Sequence, residues 1–311
     1  MSEETGRDGL VLLDKPTGMT SHDCVREVRR NCPRKFKVGH GGTLDPFCTG
    51  LLILLLGKAT RLAGFFQGMD KAYEGVIRFG EGTDTYDRDG QVVATGPAPA
   101  ARSLAEWQEV ANGFVGPHLQ VPPAFSAKRV GKMRAYEMAR QGMTPELEAV
   151  PVHIYRFEVS PVDERDLHFR IRCSSGTYVR SVAKDLGERL GSPAHCYQLC
   201  RTEVGRFSVQ EANALGDPFA AAGFIPFDLV DLGFPVHGVN HREERLLLFG
   251  HKIPPPMELQ GHEGLVKIVS PAEHFIALGR LDGRQLQPSL VFPPSCDPTA
   301  PGTGPRPPRP G

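Results

Sequence analysis

The stretch from Gly39 to Gly50, GHGGTLDPFCTG, contains the residues of this chain that are best placed to do chemistry. Asp45 lies between a glycine-rich segment and Pro46, and His40 lies five residues before it. An uninterrupted apolar run, residues 51–56, follows directly. Catalytic residues concentrate on loops that are pinned to a rigid scaffold. The pattern therefore predicts a reactive carboxylate at the mouth of a turn whose far side is tied into the core.

Asp45 needs a counter-ion if it lies in a desolvated cleft, because a buried lone carboxylate takes up a proton. Arg180 is the candidate, since it follows a Gly-Thr-Tyr turn and stands at the start of a predicted helix. Tyr73 and Tyr178 stand beside predicted turns, where their rings could stack on a nucleobase. Taken singly, each of these residues is more often structural than functional.

Other site chemistries are disfavoured by spacing. His195, Cys196 and Cys200 have no second close pair of ligands, which a zinc site needs. The glycines around His40 lack the Gly-Lys-Ser/Thr ending of a phosphate loop, and no Gly-x-Ser-x-Gly elbow of a hydrolase occurs. We therefore expect no metal and no cofactor, and a site centred on an acid remains.

Composition indicates an ordinary globular protein of 311 residues, 40% hydrophobic and 23% charged, with room for one large and one small domain. The longest apolar run is far shorter than the roughly 20 residues of a membrane helix. The polar, acidic N-terminus does not resemble a secretory signal. Seven scattered cysteines are typical of reduced thiols. We expect a cytoplasmic protein with no membrane contact.

Charge is balanced over the whole chain, with 36 basic and 36 acidic residues, but it is not evenly spread. One basic block runs from Arg26 to Lys37 and a second from Lys128 to Arg140, and each contains a single acid. Such blocks could track the phosphates of a nucleic acid. The alternative interpretation, two solvated helix faces, stays open at this point.

The elements that must position these residues follow from hydrophobic patterning. Strands are predicted at residues 10–13, 51–56, 73–79, 152–159 and 167–173. Helices are predicted after Thr20 or Ser21, from Ser103, from Ser181 to Leu190, and as a basic amphipathic helix within residues 128–142. Short strands and turns follow residue 232, and residues 294–311 are rich in proline and glycine, which predicts a disordered tail.

Several motifs occur in an order that resembles a known family. They are Lys15-Pro16-Thr17-Gly18, GHGGTLDPFCTGLL (39–52), Lys71-Ala72-Tyr73-Glu74, Thr83-Asp84-Thr85 with Asp89-Gly90, QVPPAFSAKRVGKMRAYEMARQG (120–142), SSGTYVRSVAKDLG (174–187) and the stretch 195–207. Together they resemble the TruB family of tRNA pseudouridine synthases over roughly residues 9–210. The chain departs from the bacterial pattern at Gly41, Cys48 and Cys200, where Thr, Ala and Arg are common.

The resemblance implies that Asp45 is the catalytic aspartate and that Arg180 pairs with it. His40 corresponds to the histidine that helps to extrude the target nucleotide. Tyr73 corresponds to the tyrosine that stacks on the target base.

Four further positions are implied in the same way. Tyr178 and Leu199 correspond to residues that line the uracil pocket. Lys15 and Lys58 stand where the family has basic residues that support the site or contact RNA. The resemblance implies no metal and no cofactor.

The fold implied is the pseudouridine synthase fold, an α/β (α+β) arrangement. It has a mixed, largely antiparallel sheet, flanking helices and a central RNA-binding cleft. The catalytic domain is expected at residues 9–232, with an RNA-clamping insertion at about 120–150. A small β-rich, PUA-like domain is expected at 233–293, followed by the tail at 294–311.

The reaction implied is isomerisation of uridine to pseudouridine at position 55 in the T-loop of tRNA. The aspartate could attack C1′ or C6, or first deprotonate C2′, and the sequence leaves these routes open. We expect a monomer that acts on the T-arm stem-loop without an obligatory protein partner. Two alternatives remain: a guide-RNA-dependent enzyme of the same fold that modifies ribosomal RNA, and a non-catalytic RNA-binding or chaperone module.

Overall fold

The computed structural model describes residues 7–126, 128–131, 133–216 and 223–293. The expected tail at 294–311 lies outside the described residues. The chain divides into two compact units, the first ending at Pro226 and the second beginning at Phe227. This boundary lies six residues before the one expected from the sequence, which followed residue 232.

The first unit contains the elements that form the cleft. Its strands are β1 (Gly9–Lys15), β2 (Val38–His40), β3 (Thr49–Leu56), β4 (Lys71–Phe79), β5 (Glu81–Thr83), β6 (Val92–Thr95), β7 (Gly116–Gln120), β8 (Arg129–Val130), β9 (Met133–Arg134), β10 (Val150–Pro161), β11 (Asp166–Cys173), β12 (Ala194–Val204), β13 (Phe207–Ser208) and β14 (Phe224–Pro226). Its α-helices are α1 (Ser21–Arg30), α2 (Ala63–Gly68), α3 (Leu104–Asn112), α4 (Ala135–Arg140) and α5 (Val179–Arg189). Two 3₁₀ helices span Gly57–Leu62 and Val209–Glu211.

A ten-stranded sheet is the scaffold of this unit, with the order β14-β1-β3-β12-β4-β11-β10-β7. Strand β2 also pairs with β3, and β13 with β12. Within the described part of this sheet, β12 and β3 are parallel and the other pairs are antiparallel. The expected mixed, largely antiparallel sheet with flanking helices is therefore confirmed.

Two hydrophobic patterns explain how the strands are placed. Residues 50–56 of β3 are all buried, as a continuous apolar run predicts for a central strand that is covered on both faces. Strand β11 instead alternates, with Phe169 and Ile171 in the core and Arg170 exposed. Strands β4, β11 and β12 therefore have a front face toward the core and the cleft, and a more open back face.

Helices α1 and α3 begin where their capping residues predict. At α1, Thr20 accepts a hydrogen bond from the Asp23 amide, and the Asp23 carboxylate accepts one in return from the Thr20 amide. Helix α3 has the same reciprocal cap between Ser103 and Glu106. Helix α5 begins at Val179, two residues before the predicted start, so Arg180 lies in its first turn.

The predicted basic helix within residues 128–142 is wrong for the first half of that segment. Arg129 and Arg134 face each other across the short hairpin of β8 and β9, and only the six residues of α4 are helical. Gly131 has a φ of 59°, a left-handed conformation that glycine adopts without strain and that ends helical geometry. The basic residues of this block are therefore split between a hairpin and a helix.

The second unit is β-rich, as the sequence predicts. Strands β15 (Val236–Gly238), β16 (Gly264–Val269), β17 (Phe275–Leu281) and β18 (Leu286–Val291) form one sheet in that order. Helix α6 (His241–Leu248) contributes Leu247 to a core shared with Val266 and Ile268. Two 3₁₀ helices span Phe227–Leu229 and Met257–Leu259.

Candidate active site

A cleft of about 590 Å³ opens at the front face of β4 and β12. Six of the eight residues singled out from the sequence line this cleft: His40, Asp45, Tyr73, Tyr178, Arg180 and Leu199. They come from four separate segments of the chain, so the fold brings together residues up to 159 positions apart (His40 to Leu199).

The loop that carries Asp45 is fixed through its backbone. The Gly18 amide donates to the Pro46 carbonyl at 2.8 Å, and the Thr17 hydroxyl donates to the Phe47 carbonyl at 3.2 Å. The Cys48 amide closes a turn on the Asp45 carbonyl at 3.1 Å. The loop is therefore held by its own main-chain groups, which leaves the Asp45 carboxylate available to the cleft.

Asp45 and Arg180 form an ion pair, with 2.8 Å between the Arg180 Nε and the Asp45 Oδ2 atoms. The arginine side chain is 4% exposed and the aspartate side chain 37%. Arg180 also donates to the carbonyls of Thr85 at 2.6 Å and Phe125 at 3.0 Å. A guanidinium held by several acceptors is a rigid partner, because its planar fork fits them simultaneously. The geometry thus pairs an immobile cation with a reachable carboxylate.

Asp87 is a site residue that the sequence did not predict. Its Oδ2 atom lies 3.2 Å from the Arg180 Nη1 atom, and its Oδ1 atom accepts from the Thr85 hydroxyl at 2.7 Å and the Asp89 amide at 3.1 Å. Burial raises the pKa of Asp87, and the Thr85 bond and the Arg180 charge oppose this rise. Arg180 therefore bridges two carboxylates, one exposed to the cleft and one buried behind it.

Arg201 is the second residue that the sequence did not assign to the site. Its guanidinium is 2% exposed and donates to the carbonyls of Leu51 at 2.8 Å, Gly42 at 3.1 Å and Thr43 at 3.3 Å. It also contacts Tyr73, whose pKa is raised by burial while Arg201 opposes the rise. Arg201 therefore supports both the segment before Asp45 and the ring expected to stack on a base.

His40 lies at the edge of the cleft, and its Nδ1 atom accepts from the Gly42 amide at 3.3 Å. Burial lowers the pKa of His40, and the charges of Arg201 and His22 lower it further. An imidazole with an ordinary pKa near 6.5 is therefore neutral at pH 7 here. Its Nε2 atom then carries the proton, because Nδ1 acts as the acceptor.

Tyr178 and Leu199 form part of the wall. The Tyr178 amide donates to the Gln120 side chain at 2.7 Å, and the Gln120 amide group returns a bond to the Tyr178 carbonyl at 3.0 Å. Burial raises the pKa of Tyr178, so its phenol is neutral at pH 7. Leu199 is 7% exposed and provides an apolar surface.

The structure does not place Lys15 and Lys58 among the described residues that line the cleft. Lys15 is fully buried, and its Nζ atom donates to the carbonyls of Pro16 and Met19 at 2.8 Å and of Pro46 at 3.3 Å. It thus supports the Asp45 loop from behind. Lys58 lies in the 3₁₀ helix after β3, where its amine is 3.7 Å from the Asp8 carboxylate.

Charge in the cleft is strongly unbalanced. Among the described lining residues, Asp45 is the one carboxylate, and the cationic side chains are Lys71, Arg129, Arg134, Arg180 and Arg201. Arg129 and Arg134 come from the second basic block, at the hairpin of β8 and β9. Such a surface attracts a polyanion even though the chain has no net charge.

The first basic block is arranged differently. Arg26 pairs with Asp23 and Arg30 pairs with Glu27 on the same helix, and Arg29 donates to the Val38 carbonyl at 3.0 Å. None of the described residues of this block lines the cleft.

Within the described ranges, no group of histidine, cysteine and acidic side chains is arranged to hold a metal ion. No helix among these residues is long and apolar enough to cross a membrane.

Residues 29–179 match the TruB family pseudouridylate synthase (N terminal domain). The "tRNA pseudouridine synthase B" of Thermobifida fusca is 40% identical over 294 residues, which cover 92% of this chain and 98% of the relative. The protein of the same name from Aquifex aeolicus is 39% identical over 291 residues, which cover 92% and 99%.

Solved structures show the same fold at lower identity. A chain from the crystal structure of a Cbf5-Nop10-Gar1 complex matches with a TM-score of 0.68 at 22% identity, covering 94% of this chain and 91% of the other. A chain from the structure of an H/ACA RNP bound to a substrate RNA containing 2′-deoxyuridine matches with a TM-score of 0.66 at 23% identity, covering 92% and 85%.

Proposed function

The chain belongs to the TruB family of pseudouridylate synthases, and on this premise we propose that it isomerises uridine to pseudouridine at position 55 in the T-loop of tRNA. The observation that carries this proposal is the Asp45–Arg180 pair at the cleft, with 2.8 Å between its charged atoms. We further propose that the chain acts as a monomer in the cytoplasm and needs no obligatory protein partner.

The reaction breaks the N1–C1′ bond of uridine, turns the base and joins C1′ to C5. C5 loses its proton and N1 gains one, so the change is a net isomerisation that consumes no co-substrate. Whether the carboxylate attacks C1′ or C6, or first removes a proton from C2′, Asp45 must be ionised. The adjacent Arg180 favours that ionised form by pairing with it.

The uridine must leave its stack before Asp45 can reach it, at a cost of a few kcal/mol. We assign the compensating contacts to Tyr73, which would stack on the base, and to His40, which would occupy the space vacated in the RNA loop. A base stacked on an aromatic ring gains about 1–3 kcal/mol. Tyr178 and Leu199 would then enclose the uracil, with Lys15 supporting the loop of Asp45 and Lys58 a more distant RNA contact.

The cations of the cleft would neutralise phosphates on either side of the extruded nucleotide. Arg129 and Arg134 belong to residues 120–150, which we propose to be the RNA clamp, and both line the cleft. Phosphate contacts of this kind position an RNA without reading its sequence. We regard the second unit as a PUA-like accessory to RNA binding.

Two other functions remain as outcomes of the test. A guide-RNA-dependent enzyme would share the fold, and a non-catalytic RNA-binding module would share the basic cleft. The relatives at about 40% identity are named tRNA pseudouridine synthase B, and the chain matches them over nearly their full length. This favours the tRNA substrate.

The proposal is tested with the purified chain and an unmodified T-arm stem-loop transcript, without guide RNA or added protein. We expect pseudouridine at the position equivalent to uridine-55, mapped by carbodiimide modification and primer extension. A transcript with cytidine at that position is the matched control and should yield no product. Binding without any product would support the non-catalytic alternative, and product only with a guide RNA would support the other.

A further inference from the structure

The loop of residues 83–91 is connected to the catalytic loop, residues 39–50, at two places: through Arg180 in the cleft and through Thr17 on the side away from it. Asp87 reaches Arg180 from this loop, whereas the next residue, Arg88, lines a separate cavity of about 300 Å³. Thr17 and Phe47 line the same cavity, and Leu199 is shared between it and the cleft. Arg88 and Thr17 are not among the described residues that line the cleft.

Two hydrogen bonds in series connect the loops across this cavity. The Arg88 Nη2 atom donates to the Thr17 hydroxyl oxygen at 3.0 Å, and that hydroxyl donates to the Phe47 carbonyl at 3.2 Å. The hydroxyl uses its lone pair and its proton at once, so both bonds can form simultaneously. A charged donor on one side polarises the hydroxyl and strengthens the second bond.

These bonds close a ring that contains the ion pair of the site. Asp45 contacts Arg180, Arg180 contacts Asp87, Asp87 is covalently joined to Arg88, and Arg88 returns through Thr17 to Phe47, two residues after Asp45. The catalytic loop is thus held to the 83–91 loop from inside the cleft and from outside it.

We propose that Arg88 and Thr17 are positioning residues that together set the placement of the Asp45 carboxylate against Arg180, an assignment that rests on the proposed function. We call this pair the outer clasp. Asp45 is held in the cleft by one charged contact and is 37% exposed, so the angle of its loop decides where the carboxylate points. Misplacement of a reacting group by about 1 Å can cost a large factor in rate. The clasp acts on rate without touching the RNA in the cleft.

A simpler role for Arg88 is contact with an RNA phosphate, because its side chain is 34% exposed. The two roles predict different results. If Arg88 contacts a phosphate, removing its side chain lowers RNA affinity and the salt dependence of binding, and the Thr17 hydroxyl has no part in the effect. The outer clasp needs both side chains and leaves affinity unchanged.

The test compares single-turnover rate constants and dissociation constants on the T-arm stem-loop for the wild type, Thr17→Val, Arg88→Ala and the double variant. We expect each single variant to lose about three- to tenfold in rate, the scale of one lost hydrogen bond, with affinity within about twofold. The double variant should be no slower than the slower single variant, because either substitution already breaks the connection from Arg88 through Thr17 to Phe47. Thr17→Ser, which keeps the hydroxyl, should recover most of the rate.

Arg170→Ala is the matched control, since Arg170 is an exposed arginine on β11 that pairs with Glu74 at 3.6 Å. It should leave the rate unchanged. Unchanged rates for both single variants, additive losses in the double variant, or a loss of affinity in Arg88→Ala with Thr17→Val unaffected would each overturn the clasp. A wild-type chain that makes no pseudouridine would overturn the proposed function itself, and with it the role of the clasp in that reaction.

Discussion

The two faces of β4, β11 and β12 differ in the partners of their arginines. On the back face, arginines pair with carboxylates on other strands of the sheet; these pairs are Arg78–Asp166 at 2.6 Å, Arg170–Glu74 at 3.6 Å and, across β4, Arg172–Glu203 at 3.0 Å. On the front face, Arg201 donates to three backbone carbonyls, which hold the side chain without cancelling its charge.

This difference explains how a chain without net charge could select RNA. Exposed ion pairs contribute about 0–1 kcal/mol each, and their fields cancel at short range. The cations of the cleft outnumber its carboxylate, so positive potential is concentrated where a substrate would enter. Local pairing, rather than overall charge, decides which face attracts phosphates.

The largest effect is expected at Arg180, which lies on α5, lines the cleft and contacts two carboxylates. We expect Arg180→Lys to reduce the single-turnover rate on the order of 100-fold, since one point charge replaces a fork with several fixed donors. RNA affinity should change little. Rates near the wild-type value would remove Arg180 from the chemistry.

Lys71 is a front-face cation whose charged form is destabilised by burial. Its amine donates to the carbonyls of Phe66, Gln67 and Met69, and burial lowers its pKa from 10.5 to about 8. Between these pH values the unfolded chain binds the proton that the native chain has released, so this group makes stability rise with pH.

Urea unfolding at pH 7.5 and pH 9.5 measures this contribution. We expect Lys71→Met to be less stable by about 1–3 kcal/mol at both pH values, because its three carbonyl partners lose their donor. The deficit relative to the wild type should grow at the higher pH. A deficit that shrinks with rising pH would show that Lys71 gains a proton on folding.

A change at Asp87 tests the buried one of the two carboxylates that Arg180 bridges. We expect Asp87→Asn to lower the rate about tenfold, less than changes at Arg180, because the Thr85 and Asp89 donors can still be satisfied by the amide oxygen. The matched control is Asp84→Asn, which alters a carboxylate of the same loop that accepts from the Gln91 amide at 2.8 Å. Equal losses in both variants would indicate a general loop defect.

The smallest effects should come from single phosphate-binding cations. We expect Arg129→Ala and Arg134→Ala each to weaken RNA binding and to reduce the slope of log affinity against log salt by about 0.7–0.9. Arg170→Ala on the back face should leave the slope unchanged, because that arginine is paired. A slope that responds equally on both faces would refute the contrast between them.

Site residues could be predicted from the sequence where they lie in a motif close to a turn or to the end of a helix or strand. Asp45, His40 and Arg180 were singled out from such positions, and the cleft brings them together with Tyr73, Tyr178 and Leu199. Their individual catalytic roles stay predictions. The central apolar strand was also evident, because a fully buried strand needs no alternation.

Other parts of the site could not be predicted from one sequence. The sequence does not distinguish Asp84, Asp87 and Asp89, which lie in one polar turn. Contact with β12 places Asp87, because the Cys196 amide donates to the carbonyl of the preceding residue, Tyr86, at 2.9 Å. Arg201 acquires its place from carbonyls about 150–159 residues away in the chain. The resemblance left open whether Lys15 supports the site or contacts RNA, and only the fold shows that three carbonyls hold its amine in the interior.

We propose that Asp45 performs the isomerisation while the basic cleft binds the RNA. The most direct measurement compares wild type and Asp45→Asn in one experiment, with pseudouridine yield and T-arm affinity determined on the same preparations and deamidation excluded by mass spectrometry. We predict no detectable product from Asp45→Asn and an affinity within about threefold of the wild type, since the cations that bind phosphate are untouched. Pseudouridine formed by the intact Asn variant would contradict this account.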